Sequence, residues 1–189
     1  MSSVVLTGDT SGAGTITVPA VAGTFTATIG SATGTHYPFT AGTAVASTSG
    51  TSIDFTSIPS WVKRVTILFS AVSTNSSSYY LVQVGSGSVT TSGYASLGSN
   101  GGASSSSTAG FVVVTGAATW SVSGSMTINL ISGNTYVSNH TFGNPIGGAL
   151  YAMYGGGNVT LGGTLDRVRI TTVNGTDTFD AGTINILYE

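Results

Sequence analysis

Charge is what this chain lacks most. Asp, Glu, Lys and Arg make up 5% of its 189 residues, against roughly a quarter in an ordinary soluble domain. From Val65 to Leu165, 101 consecutive residues, none of the four occurs, and a second uncharged stretch runs from Thr10 to Ile53. Acid–base catalysis, metal binding and phosphate handling draw on titratable side chains. The chain offers six carboxylates, four cations and two histidines for such work. With no cysteine, disulfides cannot stabilise the fold, so stability must come from core burial or oligomerisation. A net charge of −2 gives no clustered basic field for nucleic acid or an anionic membrane surface. No apolar run approaches the roughly 20 residues of a membrane helix. The start, Met1-Ser2-Ser3, lacks a signal peptide's basic region and apolar core, so synthesis in the cytoplasm without export is expected.

What is present is apolar, small and hydroxylated. Hydrophobic residues make up 40% of the chain, too many for a disordered segment. Asn75-Ser-Ser, Asn139-His-Thr, Asn158-Val-Thr and Asn174-Gly-Thr match the glycosylation sequon, as chance provides in a Ser/Thr-rich chain. Period-two alternation recurs and helical period is missing, which predicts an all-β protein. In the segment 63–72, Val65, Ile67, Phe69 and Ala71 share one face while Leu68 and Val72 occupy the other, the pattern of a central strand buried on both sides. Further strands are expected at 79–84, 111–114, 120–122, 126–131, 149–154, 168–173 and 183–188. Ser132-Gly-Asn134 should close a hairpin, and Asn174-Gly175 should form a turn. Short strands with Gly-rich turns suit a β-sandwich, jelly-roll-like in character. The low-complexity stretch 98–108 reads as a mobile surface loop.

The first residues differ. Gly14-Thr-Ile-Thr and Gly23-Thr-Phe-Thr repeat a short strand pattern nine residues apart. Two such strands cannot bury a core alone. Residues 1–45 are therefore read as an extended N-terminal β arm for assembly or attachment, and 46–189 as the sandwich, with the boundary near Thr43 to Gly50.

His36 and His140 lie 104 residues apart, neither beside a carboxylate, and no strand–elbow–helix nucleophile motif is visible. Asp177 and Asp180 could approach each other as a glycosidase pair, but the stronger expectation is that both hold backbone in a turn. Arg167 and Arg169 share one strand face and Lys63-Arg64 opens another strand; ion pairs are expected there rather than anion binding. No catalytic, cofactor or metal site is expected. Aromatic side chains among Ser, Asn and Gly remain as binding candidates, since rings supply contact area at low entropy cost. Tyr94, Tyr136, His140 and Tyr154 are the candidate receptor-binding residues, while Trp120 and Tyr151 are better placed in the core.

Three stretches carry a family resemblance: residues 53–69 (IDFTSIPSWVKRVTILF), 124–137 (GSMTINLISGNTYV) and 165–189 (LDRVRITTVNGTDTFDAGTINILYE). They resemble a module at the distal end of bacteriophage tail fibres and in small virion proteins, and the arm resembles the strand-rich linkers of such fibres. The resemblance implies a virion structural protein, commonly a homotrimer, that works by contact rather than chemistry. The expected role is host-surface recognition, of a glycan or a protein, as a tail fibre or fibre tip, with the arm binding other virion proteins of tail or capsid. The alternatives are, in order, a capsid decoration protein that stabilises the head, a glycan-degrading tailspike-like enzyme and a bacterial adhesin.

Overall fold

The computed structural model describes residues 26–29, 32–35, 39–144 and 150–189. The chain divides into two compact units, Met1–His36 and Tyr37–Glu189. In the first, β1 (Thr26–Ile29) and β2 (Ala32–Thr35) pair antiparallel, with Thr26 opposite Thr35. The Gly14 repeat, Gly23 to Phe25 and His36 lie outside the described residues.

The second unit opens with three short strands, β3 (Thr40–Ala41), β4 (Val45–Ala46) and β5 (Ile53–Phe55). There follow β6 (Arg64–Thr74), β7 (Tyr80–Ser86), β8 (Ser88–Val89), β9 (Ala95–Ser99), β10 (Ser104–Ser107) and β11 (Phe111–Val113). The chain ends with β12 (Val122–Ser132), β13 (Thr135–Asn144), β14 (Tyr151–Thr160), β15 (Arg167–Thr172) and β16 (Phe179–Tyr188). There is no helix among the described residues. One sheet has nine strands in the order β10-β9-β14-β13-β12-β6-β16-β3, with β4 also on β16; the other has five in the order β11-β7-β15-β5, with β8 on β7. Both are antiparallel and they pack as a β-sandwich, the fold class expected from the period-two pattern.

Four arches organise the two sheets. β4–β5, β15–β16, β6–β7 and β11–β12 each carry the chain from one sheet to the other, and the strands appear in the same order in both. Register puts all four crossings at one end: Ala46 lies opposite Thr183, Ile53 opposite Ile170, Thr74 opposite Phe179, Tyr80 opposite both Thr172 and Val113, and Val122 opposite Val72. The chain enters at the other end, where Thr40 pairs with Tyr188. Residues 39–45, assigned to the arm from sequence, belong to the sandwich unit, because β3 and β4 are both hydrogen-bonded to β16. Two-residue strands are too short for alternation to reveal.

The core lies between the sheets. Phe69 and Phe142 of the large sheet pack with ring centroids 4.9 Å apart, and Tyr80 of the small sheet lies 6.3 Å from Phe69 and 6.0 Å from Phe179. The Tyr80 hydroxyl donates to the Val72 carbonyl at 3.2 Å, and burial pushes its pKa well above the ordinary value. In β6 the alternation expected from sequence holds as far as Phe69 and then changes phase. Ala71 adopts φ +54 and the ladder to β16 slips there, so Val72 turns inward and Ala71 becomes exposed. The extra residue of a bulge does this: it shifts every later side chain to the other face. Leu68 stays half-exposed on the outer face, so the strand buried on both faces is β7 rather than β6.

The stretch 98–108, expected as a loop, is instead part of a hairpin. Ser99 pairs with Ser104 and Ser96 with Ser107 across a turn in which the Asn100 side-chain oxygen accepts from the backbone N–H of Gly102 and Ala103. Serine is a poor strand former alone. Here the hairpin is held because it covers the edge of the small sheet: the Val112 N–H donates to Ser96 Oγ at 3.0 Å. Capping a free edge in this way removes an aggregation-prone ladder.

Candidate functional site

The four candidate receptor residues separate in the structure. Tyr94 and Tyr136 are buried. The Tyr94 hydroxyl accepts from the Val84 N–H at 2.9 Å and lies within hydrogen-bonding distance of the Val84 and Thr90 carbonyls, and burial pushes its pKa up to about 12. The Tyr136 hydroxyl accepts from the Leu165 N–H. His140 is 3% exposed, with neither ring nitrogen partnered among the described residues. These three face the interior and present nothing to a partner outside, and the reason is parity. Tyr136, Ser138, His140, Phe142 and Asn144 all point inward from β13, while Asn139 and Thr141 point out. Tyr154 alone of the four is open, at 53% exposure. Trp120 is buried as expected, whereas Tyr151 is 37% exposed and stacks on it at 4.6 Å and 23°.

Among the described residues, each carboxylate is committed to a structural contact. Asp54 on β5 takes the Arg169 guanidinium from β15 in a two-pronged pair at 2.7 and 3.0 Å. Asp166 pairs with Arg167 at 2.7 Å and accepts from the Gly87 N–H; the Arg167 hydrogen bond, foremost, holds its pKa below the usual carboxylate range. Glu189 pairs with Arg64. The ion pairs expected for the arginines are therefore present, with Asp54 as the partner of Arg169.

Asp177 and Asp180 each accept hydrogen bonds from structural partners. Asp177 is buried, accepts from the Ser78 N–H at 3.1 Å and from the Asn174 amide, and so ties the β15–β16 arch to the β6–β7 arch. Asp180 accepts from the Ser73 hydroxyl on the sheet surface. Asp177→Ala should lower stability by about 2 kcal/mol, since it strands buried donors, while Asp180→Asn should change it by less than about 0.5 kcal/mol. Urea unfolding of the two variants checks this, and equal effects would show that the arch tie carries no weight. No group of three or more metal-binding side chains comes together among the described residues.

What the fold does assemble is a surface of loops at the arched end. The arches 47–52, 75–79, 114–121 and 173–178 lie there together with the hairpin turn 100–103. They are cross-linked rather than floppy. The Thr115 hydroxyl donates to the Ser78 carbonyl, the Val173 N–H to the Tyr79 carbonyl, and the Thr178 N–H to the Asn75 side chain. An open pocket of about 470 Å³ sits among them, lined by Ser77, Tyr79, Asn100, Thr115, Gly116 and Val173 and their neighbours. Gly116 is required by its surroundings, since a Cβ there would lie 2.4 Å from the Trp120 ring. The second exposed feature is the outer face of the large sheet. One row across it reads Ser104, Ser99, Tyr154, Thr141, Ser125, Leu68, Asn185. Nothing in the sequence reading pointed to Asn100 or the arched end; Asn100-Gly101-Gly102 was a turn signal there to be read. No family model, no curated protein and no solved structure gives a significant match to the chain.

Proposed function

We propose that the protein is a bacteriophage virion structural protein, a tail-fibre tip that contacts the host surface through its arched end and works without chemistry of its own. The observation that carries this reading is the polarity of the sandwich. The chain enters at one end, and the loops gather at the other, cross-linked by hydrogen bonds around a pocket that no charged side chain lines. A scaffold that fixes loops at the end away from its attachment is the arrangement recognition proteins use. Consistent with contact rather than catalysis, each described acid is held by an arginine, a hydroxyl or backbone.

The experiment is a binding assay with labelled protein on phage-sensitive bacterial cells and, in parallel, on empty capsids. Saturable binding to cells is expected. Binding only to capsids, in fixed ratio to the coat protein, would make it a decoration protein instead, and release of reducing ends from surface polysaccharide would make it an enzyme. Assembly is tested separately. A homotrimer held through the N-terminal arm should scatter light as three times the 18.8 kDa chain, and deletion of residues 1–36 should leave a folded sandwich that assembles more weakly. A full-length monomer at micromolar concentration would overturn the trimer.

A further inference from the structure

We propose that the pocket at the arched end binds a neutral saccharide, with the Asn100 amide as its hydrogen-bond donor and the Tyr79 ring as its contact face. The proposal rests on the host-contact reading above and names the chemistry that contact would use.

Three observations carry it. First, Asn100 is 8% exposed, and its side-chain oxygen is fully used, accepting from Gly102 and Ala103 N–H at 3.0 and 2.8 Å. Its amide nitrogen has no partner among the described residues, although it belongs to a residue that lines the pocket. On a residue held this deep, an amide whose oxygen is pinned and whose solvent-facing N–H groups have no partner among the described residues is a preset donor, because the turn has already fixed its orientation. Second, the rest of the lining is mixed: the exposed Ser77 hydroxyl, the Thr115 hydroxyl, the half-buried Tyr79 ring and the exposed Val173. A sugar offers the same mixture, with hydroxyls around its edge and C–H groups on its faces. Third, no charged side chain lines the pocket. That disfavours phosphate, sulfate and acidic sugars, whose binding calls for Arg, Lys or a row of free N–H groups. The volume, about 470 Å³, falls in the range of small-molecule sites.

The test uses the full chain and a panel of neutral oligosaccharides built from glucose, galactose, mannose, N-acetylglucosamine and N-acetylgalactosamine, with binding followed by backbone amide NMR. Asn100→Asp keeps the oxygen that holds Gly102 and Ala103 but replaces the donor with an acceptor. Ser77→Tyr fills the mouth from an exposed position and serves if the first variant folds poorly. At least one panel member should shift the amides of Tyr79, Asn100 and Thr115, and either folded variant should weaken binding at least tenfold. A panel without a binder, shifts confined to the Tyr154 face, or unchanged affinity in the folded variants would overturn the site. Wild-type cell binding by Asn100→Asp would also overturn it while leaving the host-contact reading standing.

Discussion

Acidification from pH 7 to pH 4 is expected to remove about 3 kcal/mol of folding stability through a single side chain, His140. The imidazole is 3% exposed, both of its nitrogens lack partners among the described residues, and burial pushes its pKa from 6.5 down to about 4. Its surroundings explain the direction. It lies opposite Met126 on β12 and Gly155 on β14, with the Phe142 ring 5.5 Å away and Ser138 two residues along the same face. None of these can neutralise a proton, and the sequence supplies no carboxylate between Val65 and Leu165. Below pH 6.5 the unfolded chain takes up a proton that the folded chain refuses, so stability falls as pH falls and levels off below about 4, where both states are protonated. The ion-paired Asp166 acts lower, since its folded pKa lies below 3.8 and its contribution is lost only as pH falls through that range. The window between 6.5 and 4 therefore separates His140 from Asp166. His140→Phe should flatten the stability profile there, whatever it does to stability at neutral pH. Urea midpoints measured at half-unit pH steps decide it: a wild-type profile that stays level, or a His140→Phe profile that keeps the slope, would show that the ring is not charged at a cost in the fold.

How far the sequence revealed this arrangement depended on which physical rule set each element. β12 and β13 were legible as a hairpin because Ser132-Gly-Asn134 lies between two alternating runs, and Leu130 does pair with Tyr136. β15 and β16 were legible because Val168, Ile170, Ile184 and Ile186 alternate with polar residues. β9, β10 and the middle of β14 were not. Their residues are mostly serine and glycine, with Leu97 of β9 facing out, so they carry no hydrophobic period, and they are strands because of what they cover. The aromatic candidates went astray for a different reason. Ring and hydroxyl chemistry alone cannot separate a surface tyrosine from a core tyrosine whose hydroxyl caps a backbone group, as at Tyr94 and Tyr136. Parity could have done so on β13, since His140 sits in step with Tyr136 and Phe142 and out of step with Asn139 and Thr141. The pocket at the arched end was out of reach, because it joins residues from 77 to 173 through a topology no local pattern encodes.

The glycines of β14 give the second large expected effect. Gly155-Gly156-Gly157 sits mid-strand, where glycine ordinarily weakens a sheet by leaving nothing to pack. Here it answers a close approach of β14 to β9 and β13. A Cβ on Gly155 would lie 2.3 Å from the Leu97 carbonyl oxygen, 2.6 Å from the His140 ring and 2.8 Å from the Gly98 Cα; one on Gly157 would lie 2.4 Å from the Ala95 carbonyl oxygen. Two of the three Gly155 contacts are backbone, which cannot swing aside as a long side chain would. Gly98 continues the theme on β9, where a Cβ would come within 2.6 Å of the Val112 carbonyl of β11. Gly98 thus lets the large sheet close against the edge of the small one, while Gly155 and Gly157 let β14 run close to β9. Gly155→Ala should destabilise the protein by about 3 kcal/mol, the upper range for overpacking, a large share of a typical domain's roughly 5–15 kcal/mol. Gly162→Ala is the control, with nothing within 4 Å of the added methyl and no left-handed backbone. Because part of the clash is with the His140 ring, His140→Ala should relieve Gly155→Ala in a double-mutant cycle by about 1 kcal/mol. It should not restore it, since the Leu97 carbonyl stays where the ladder holds it. A Gly155→Ala protein as stable as Gly162→Ala would show that β9 and β14 do not approach so closely, and a full rescue by His140→Ala would show that the ring, not the backbone, fixes the need for glycine.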